Sequence, residues 1–103
     1  MRRIPMLALL VLLAACSDAR RFTPEGWRQA DPLDRHVYVG DLISRHLLIG
    51  KPRREVERLL GPGGYKDGDR TSWNVGVNDE GKVQVLQVDF GGDVAVRATF
   101  KGR

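Results

Sequence analysis

Apolar residues fall along this chain in three rhythms. Between residues 4 and 15 they run almost unbroken; from 31 to 60 they recur every three or four positions; from 71 to 101 they alternate with polar ones. The first run is about a dozen residues, short of the ~20 that a helix needs to cross a bilayer. It is led by Arg2 and Arg3 and followed at once by Asp18, Arg20 and Arg21. A cationic start, a short apolar stretch and small residues at its end make residues 1–15 a secretory leader.

The second rhythm predicts helices. Residues 17–21 read as a short tether. Thr23 before Pro24 then predicts one helical turn that Gly26 cuts off, with Phe22 and Trp27 folded back on the core or, as the alternative, exposed as an aromatic contact. Asp31-Pro32-Leu33-Asp34 places an acid at N-cap, a proline at N1 and a second acid in the first turn. The helix that it opens carries the apolar rows 38/42 and 39/43/47 to about Leu48 or Ile49, with Gly50 as its stop. Gly40 weakens it by about 1 kcal/mol relative to Ala, and Val37-Tyr38-Val39 keeps a local strand in contention. Pro52 at N1 opens a second helix with Val56, Leu59 and Leu60 on one face, and Gly61-Pro62-Gly63-Gly64 ends it. Few residues join the two helices, so they pack as a hairpin.

The third rhythm predicts strands. Thr71, Trp73, Val75 and Val77 share one face of the first, and Asn78-Asp79-Glu80-Gly81 turns the chain. The second spans 83–90, with Leu86, Val88 and Phe90 on one side. A tight hairpin at Gly91-Gly92 leads to a third strand, with Val94, Val96, Ala98 and Phe100 opposite Ala95, Arg97, Thr99 and Lys101. Three antiparallel strands with one apolar face need a cover, and the helix pair supplies it. The fold expected is α+β: a two-layer ααβββ sandwich, one domain over 22–103 behind the tether at 16–21.

The leader closes on Leu13-Ala14-Ala15-Cys16, which resembles the bacterial lipobox. That resemblance implies a diacylglyceryl thioether on the Cys16 sulfur, cleavage after residue 15, and acylation of the freed amine. Cys16 is the chain's one cysteine, and the alternative is a free thiol after an ordinary cleavage site. One acyl chain holds a protein only marginally, at about 0.8 kcal/mol per buried CH₂, whereas two signals anchor it stably. Ser17 after the cysteine favours sorting to the outer membrane, and Asp18 blurs that signal. Arg2-Arg3 lacks the flanking pattern of a twin-arginine leader.

Charge then shrinks as a clue. Of 17 Lys and Arg residues two lie in the leader, so 15 face 13 acids and the net charge falls from +4 to +2. No basic stripe with interleaved aromatics points to nucleic acid. Arg20 and Arg21 stand where they either attract anionic headgroups, at about 1 kcal/mol each, or belong to a solvated linker. With one cysteine no intrachain disulfide exists, and so small a domain relies on its core and on partners.

The chemistry expected is correspondingly spare. His36, Asp41 and His46 are spaced i, i+5, i+10, which fans them around a helix rather than converging them on a metal. Ser44 and Ser72 lack the G-x-S-x-G elbow of hydrolases. Gly61–Gly64 ends a helix, whereas a phosphate cradle opens one. Asp67/Asp69 and Asp79/Glu80 sit in turns, where acids are common. No catalytic, cofactor-binding or metal site is expected; the one site residue is Cys16.

Gly50-Lys51-Pro52-Arg53-Arg54-Glu55-Val56-Glu57-Arg58-Leu59-Leu60-Gly61 resembles the BamE/SmpA/OmlA-type small outer-membrane lipoproteins, whose mark is a Gly, a helix start, Glu-Val, then Leu-Leu-Gly and a nearby Pro. Asp41-Leu42-Ile43 and Leu47-Leu48 resemble related bacterial proteins of the same plan. The motif covers about 41–62 and the element order about 22–101. The resemblance implies the ααβββ fold shared with β-lactamase-inhibitor-like (BLIP-like) domains. Two departures stand out: Pro52 replaces the usual Ser or Thr that would form a capping box with Glu55, and Pro62 follows Gly61 directly. No partner-contact residue is carried over.

Anchor, resemblance and empty active-site search together point to a non-enzymatic envelope lipoprotein. It would face the periplasm and scaffold or modulate a membrane protein assembly, with outer-membrane protein insertion as one example. The alternative is a binding or inhibitor module that blocks an envelope enzyme with its exposed sheet face. Partners expected are the membrane, through the lipid, and envelope proteins; nucleic acid and small-molecule substrates are not.

Overall fold

The computed structural model describes residues 19–102; the leader and Cys16 lie outside the described residues. Within them the fold is α+β: three α-helices and a four-stranded antiparallel sheet.

Helix α1 is Pro24–Gln29. Thr23, extended at φ −135°, caps it by accepting a 3.0 Å bond from the Gly26 amide on its hydroxyl. The helix continues through Gly26 instead of stopping there. A Cβ on Gly26 would lie 2.8 Å from Tyr38 Oη, so the residue's use is close packing rather than termination.

The long helix expected from Pro32 to Leu48 or Ile49 is divided. Pro32–Asp34 forms one 3₁₀ turn, and Asp31 makes no side-chain cap. Helix α2 runs only from His36 to Ser44. It ends in a Schellman motif: the Leu47 amide bonds Leu42 O at 3.1 Å and the His46 amide bonds Ile43 O at 3.0 Å. The left-handed position is His46, at φ +53°, where glycine is the usual occupant. This early stop turns Leu48 inward, where it is fully buried. Helix α3, Arg53–Leu60, starts one residue later than expected, with Pro52 extended at its N-cap. Val56 and Leu60 are buried, and Gly61 at φ +86° closes the helix.

The sheet has one strand more than the alternation predicts. Strand β1, Tyr65–Asp67, is short, fully exposed and pairs with β2, Arg70–Val77, across the turn at Gly68-Asp69. Strands β3, Val83–Gly91, and β4, Val94–Lys101, complete the order β1-β2-β3-β4. The last hairpin turns at Gly92-Asp93, since Gly91 pairs with Val94.

Two bulges revise the faces. On β2, Asn74 pairs with Val85 and Gly76 with Gln84, so Val75 is an extra residue. On β4, Arg97 pairs with Asp89 and Ala95 with Phe90, so Val96 is extra. One inserted residue reverses the side-chain alternation beyond it. Val77, Val94 and Val96, expected inside, are therefore exposed, and Ala95, expected outside, is buried.

The core joins Phe22, Trp27, Val39, Leu42, Leu48, Val56 and Leu60 to the inner sheet residues Trp73, Val75, Leu86, Val88, Phe90 and Ala95. Both indoles also serve the end of α3: Trp27 Nε1 donates to Leu60 O at 2.9 Å and Trp73 Nε1 to Gly61 O at 3.0 Å. Two carbonyls that a helix terminus leaves without intrahelical donors are thus satisfied by core side chains.

Candidate functional site

Two surfaces merit description: the segment leading from Cys16 into the domain, and an apolar groove beside β4.

The incoming chain is already bonded to the body at Arg20, within the stretch expected to be a tether. The Arg20 amide donates to Val37 O at 2.8 Å. The Phe22 amide donates to Asp41 Oδ2 at 2.7 Å. Arg45, at the C-cap of α2, grips the same carboxylate with Nε at 2.9 and 3.0 Å and with Nη2 at 2.6 Å. Its Nη2 also donates to Phe22 O at 3.4 Å. The Arg45 hydrogen bonds and the Phe22 amide hold the Asp41 carboxyl below its ordinary range, and Asp41 in turn raises Arg45. The Phe22 ring is buried, 5.8 Å from Trp27 and edge-on to Tyr38 at 6.4 Å. Arg20 and Arg21 are exposed beside this strap.

Asp41 is thus occupied as a strap anchor. His36 lies against Gly76, where a Cβ would sit 2.7 Å from His36 Cδ2. His46 lines the groove at the other end of α2. His36, Asp41 and His46 thus stand in three different surroundings, and among the described residues no cluster of three or more His, Cys, Asp or Glu is placed to hold a metal. The Ser44 hydroxyl donates to Asp41 O at 3.4 Å, and Ser72 lies half-buried opposite Gln87 on β2. Gly63, in the glycine run, fits beneath the Thr71 methyl that a Cβ there would overlap. In the turn after β2, Asn78 Oδ1 accepts the Glu80 and Lys82 amides, both at 2.9 Å.

The groove holds about 370 Å³ between the last turn of α2 and β4. Leu42, Ile43, His46 and Ile49 form one wall, Val96 and Ala98 the other. Its position follows from the fold's irregularities. The early stop of α2 creates the His46 corner, and the β4 bulge turns Val96 outward to the rim. Ile49 is 42% exposed and Val96 54%. Sequence reasoning missed the groove because both bulge and corner break the periodicities on which it relied.

β4 is an edge strand. Its first half is covered by the α2–α3 connection: Gly50 N donates to Ala95 O at 2.8 Å, Ala95 N to Lys51 O at 2.9 Å, and Arg53 N to Asp93 O at 2.8 Å. Beyond the bulge no described strand pairs on that side. The outer sheet face is polar there. Asp89 sits between Arg70, at 2.8 Å, and Arg97, at 3.5 Å, and this pairing raises Arg70.

Among the described residues no helix is long and apolar enough to cross a membrane. No family model matches the chain, and neither a curated protein nor a solved structure is significantly similar to it.

Proposed function

We propose that this chain is a bacterial envelope lipoprotein: a non-enzymatic adaptor, lipid-anchored at Cys16 and facing the periplasm, that scaffolds or modulates a membrane protein assembly. The observation that carries this reading is Leu13-Ala14-Ala15-Cys16, a lipobox-like sequence ending a short apolar leader and containing the chain's one cysteine. A thiolate is the nucleophile that thioether formation requires, and this thiol stands where a lipobox has it.

The strap supports the reading. Arg20 is already bonded to α2, and four residues of fully extended chain span at most about 14 Å. A lipid on Cys16 would therefore hold the domain against the bilayer rather than let it roam the periplasm. Ser17 favours the outer membrane, and the Gly50–Gly61 motif favours work on a membrane protein assembly such as outer-membrane protein insertion.

Non-enzymatic character is supported by what the shifted ionisable groups do. Arg45, Asp41 and Arg70 are held in ion pairs; Arg35, lowered by burial, donates to Trp27 O at 2.8 Å and stacks on its ring. Each of these groups is bound to a structural partner.

Cell fractionation of the wild type and Cys16→Ser tests the anchor. The wild type is expected with membranes and the variant in the soluble periplasm; a soluble wild type overturns the proposal. Crosslinking in intact cells is expected to recover a discrete envelope partner, and recovery of none across growth conditions counts against the adaptor role.

A further inference from the structure

The geometry points to the cleft where α1, Arg35 and the end of α3 meet as a carboxylate-binding site, one that receives an Asp or Glu side chain of a partner protein with an apolar residue beside it. This rests on the adaptor reading and names the chemistry that the partner presents. Lipidation is read from the mass of the chain and carboxylate binding from a titration, so either can fail alone.

The cleft holds about 240 Å³ and is lined by Trp27, Arg28, Arg35, Arg58, Leu59 and Gly61. Three guanidinium groups therefore converge, from α1, from α3 and from the residue that precedes α2. Two of them have acids on their own helices: Arg28 pairs with Glu25 at 3.3 Å and Arg58 with Glu55 at 2.7 Å. Arg35 does not. Its Nε donates to Trp27 O at 2.8 Å, and its Cζ lies 5.2 Å from the centroid of the Trp27 ring, so both of its partners are neutral. Among the described residues no carboxylate pairs with it. Burial lowers its pKa, as expected of a cation from which water is withdrawn without an acid to replace it.

The charge of the occupant follows from this count. With Arg28 and Arg58 matched by their acids, the lining keeps one uncompensated positive charge, and a single carboxylate balances it. A partly buried charge without a counter-ion is costly, so an anion seated here gains more than one at an exposed arginine. The planar fork of a guanidinium also matches a carboxylate, and the Nε bond to Trp27 O leaves both terminal nitrogens of Arg35 for that purpose. The fork is set in advance. Trp27 Nε1 donates to Leu60 O at 2.9 Å, which ties the ring under Arg35 to the end of α3 and leaves little side-chain freedom to lose on binding. Leu59, partly buried against the core, supplies an apolar wall for the residue beside the acid.

The test uses the full processed chain, purified in a mild neutral detergent, and three titrants: acetyl-Leu-Glu-amide, acetyl-Leu-Gln-amide and inorganic phosphate. The NMR signals of Arg35 Nε–H and Trp27 Nε1–H report on the cleft. The Glu dipeptide is expected to shift both signals saturably. The Gln dipeptide, which lacks the charge, should bind at least about tenfold more weakly, and phosphate should also bind less tightly than the Glu dipeptide. Arg35→Gln should lose about tenfold in affinity, read at Trp27, and Arg35→Lys, which keeps the charge without the fork, should fall between. Arg54→Gln removes an exposed arginine outside the lining and should leave binding within about twofold of wild type. Melting curves check that the variants fold, and the wild-type preference for Glu over Gln needs no variant. The proposal is overturned by no saturable shift at Arg35, by equal affinity for the two dipeptides, by tighter binding of phosphate, or by unchanged binding in a folded Arg35→Gln. It is also overturned if a second copy of this chain supplies the carboxylate, seen as a dimer in sedimentation that Arg35→Gln dissociates.

Discussion

Phe22 is the hinge between a lipid anchor and a folded body, and replacing it with alanine probes both. The ring is 6% exposed and packs on Trp27 and Tyr38. Deleting a buried phenylalanine costs about 3–5 kcal/mol where the site does not collapse. Phe22 lies close to the start of the described body, so part of that loss is avoided by peeling the strap away; about 3 kcal/mol is the expected net. For a domain of this size 1 kcal/mol moves Tm by about 4–8 °C, which gives a fall of about 12–24 °C. Phe22→Leu keeps most of the apolar area and loses two aromatic pairings, worth about 0.5–1.5 kcal/mol each, so its loss should be about 1–3 kcal/mol and smaller than that of Phe22→Ala. Thermal unfolding followed by circular dichroism measures both. Hydrogen exchange at the Arg20 and Phe22 amides, bonded to Val37 O and Asp41 Oδ2, should accelerate in Phe22→Ala before global unfolding. A loss below about 1 kcal/mol in Phe22→Ala, with those amides still protected, would refute the claim that the ring holds the strap down.

Three further outcomes follow from contacts elsewhere in the fold. His46→Gly relieves the left-handed residue of the Schellman turn and should raise stability by about 0.5–1 kcal/mol after the extra flexibility of unfolded glycine is deducted, read as a small rise in Tm. Trp73→Phe removes the donor to Gly61 O and should lower stability by about 1–3 kcal/mol in urea titration, because a carbonyl at the end of α3 loses its partner. Asp41 has a folded pKa below its unfolded value of about 3.9. Its contribution is therefore complete above that value and disappears as pH falls through the lower folded one. Stability should decline below about pH 4, and Asp41→Asn should be less stable at neutral pH with a shallower acid decline.

The sequence discloses those parts of the fold in which one periodicity persists. Val56, Leu59 and Leu60 at i, i+3, i+4 mark α3, and the alternation Leu86, Val88, Phe90 marks the buried side of β3; both faces lie as the pattern requires. It conceals the parts where backbone geometry changes without a change of composition. His46 takes a conformation usually signalled by glycine, so the pattern Leu42, Ile43, Leu47, Leu48 reads as one helix across a chain reversal. Val96 bulges inside an unbroken Val94, Val96, Ala98 alternation, and nothing in that spelling shows that the face reverses. β1 is different: Gly68-Asp69 is a hairpin turn signal, but Tyr65-Lys66-Asp67 beside it is exposed throughout and carries no apolar alternation to give the strand away. The groove lies where two of these concealed features meet, which is why Cys16 was legible as a candidate site and the groove was not.

The most direct test of the anchor is the intact mass of the protein extracted from the membranes of cells that process it. A lipid-anchored protein would be a chain of residues 16–103 whose mass exceeds that of the polypeptide by a thioether-linked diacylglycerol and an amine-linked acyl chain. An unmodified Cys16, or a product that retains residues 1–15, would contradict the anchor.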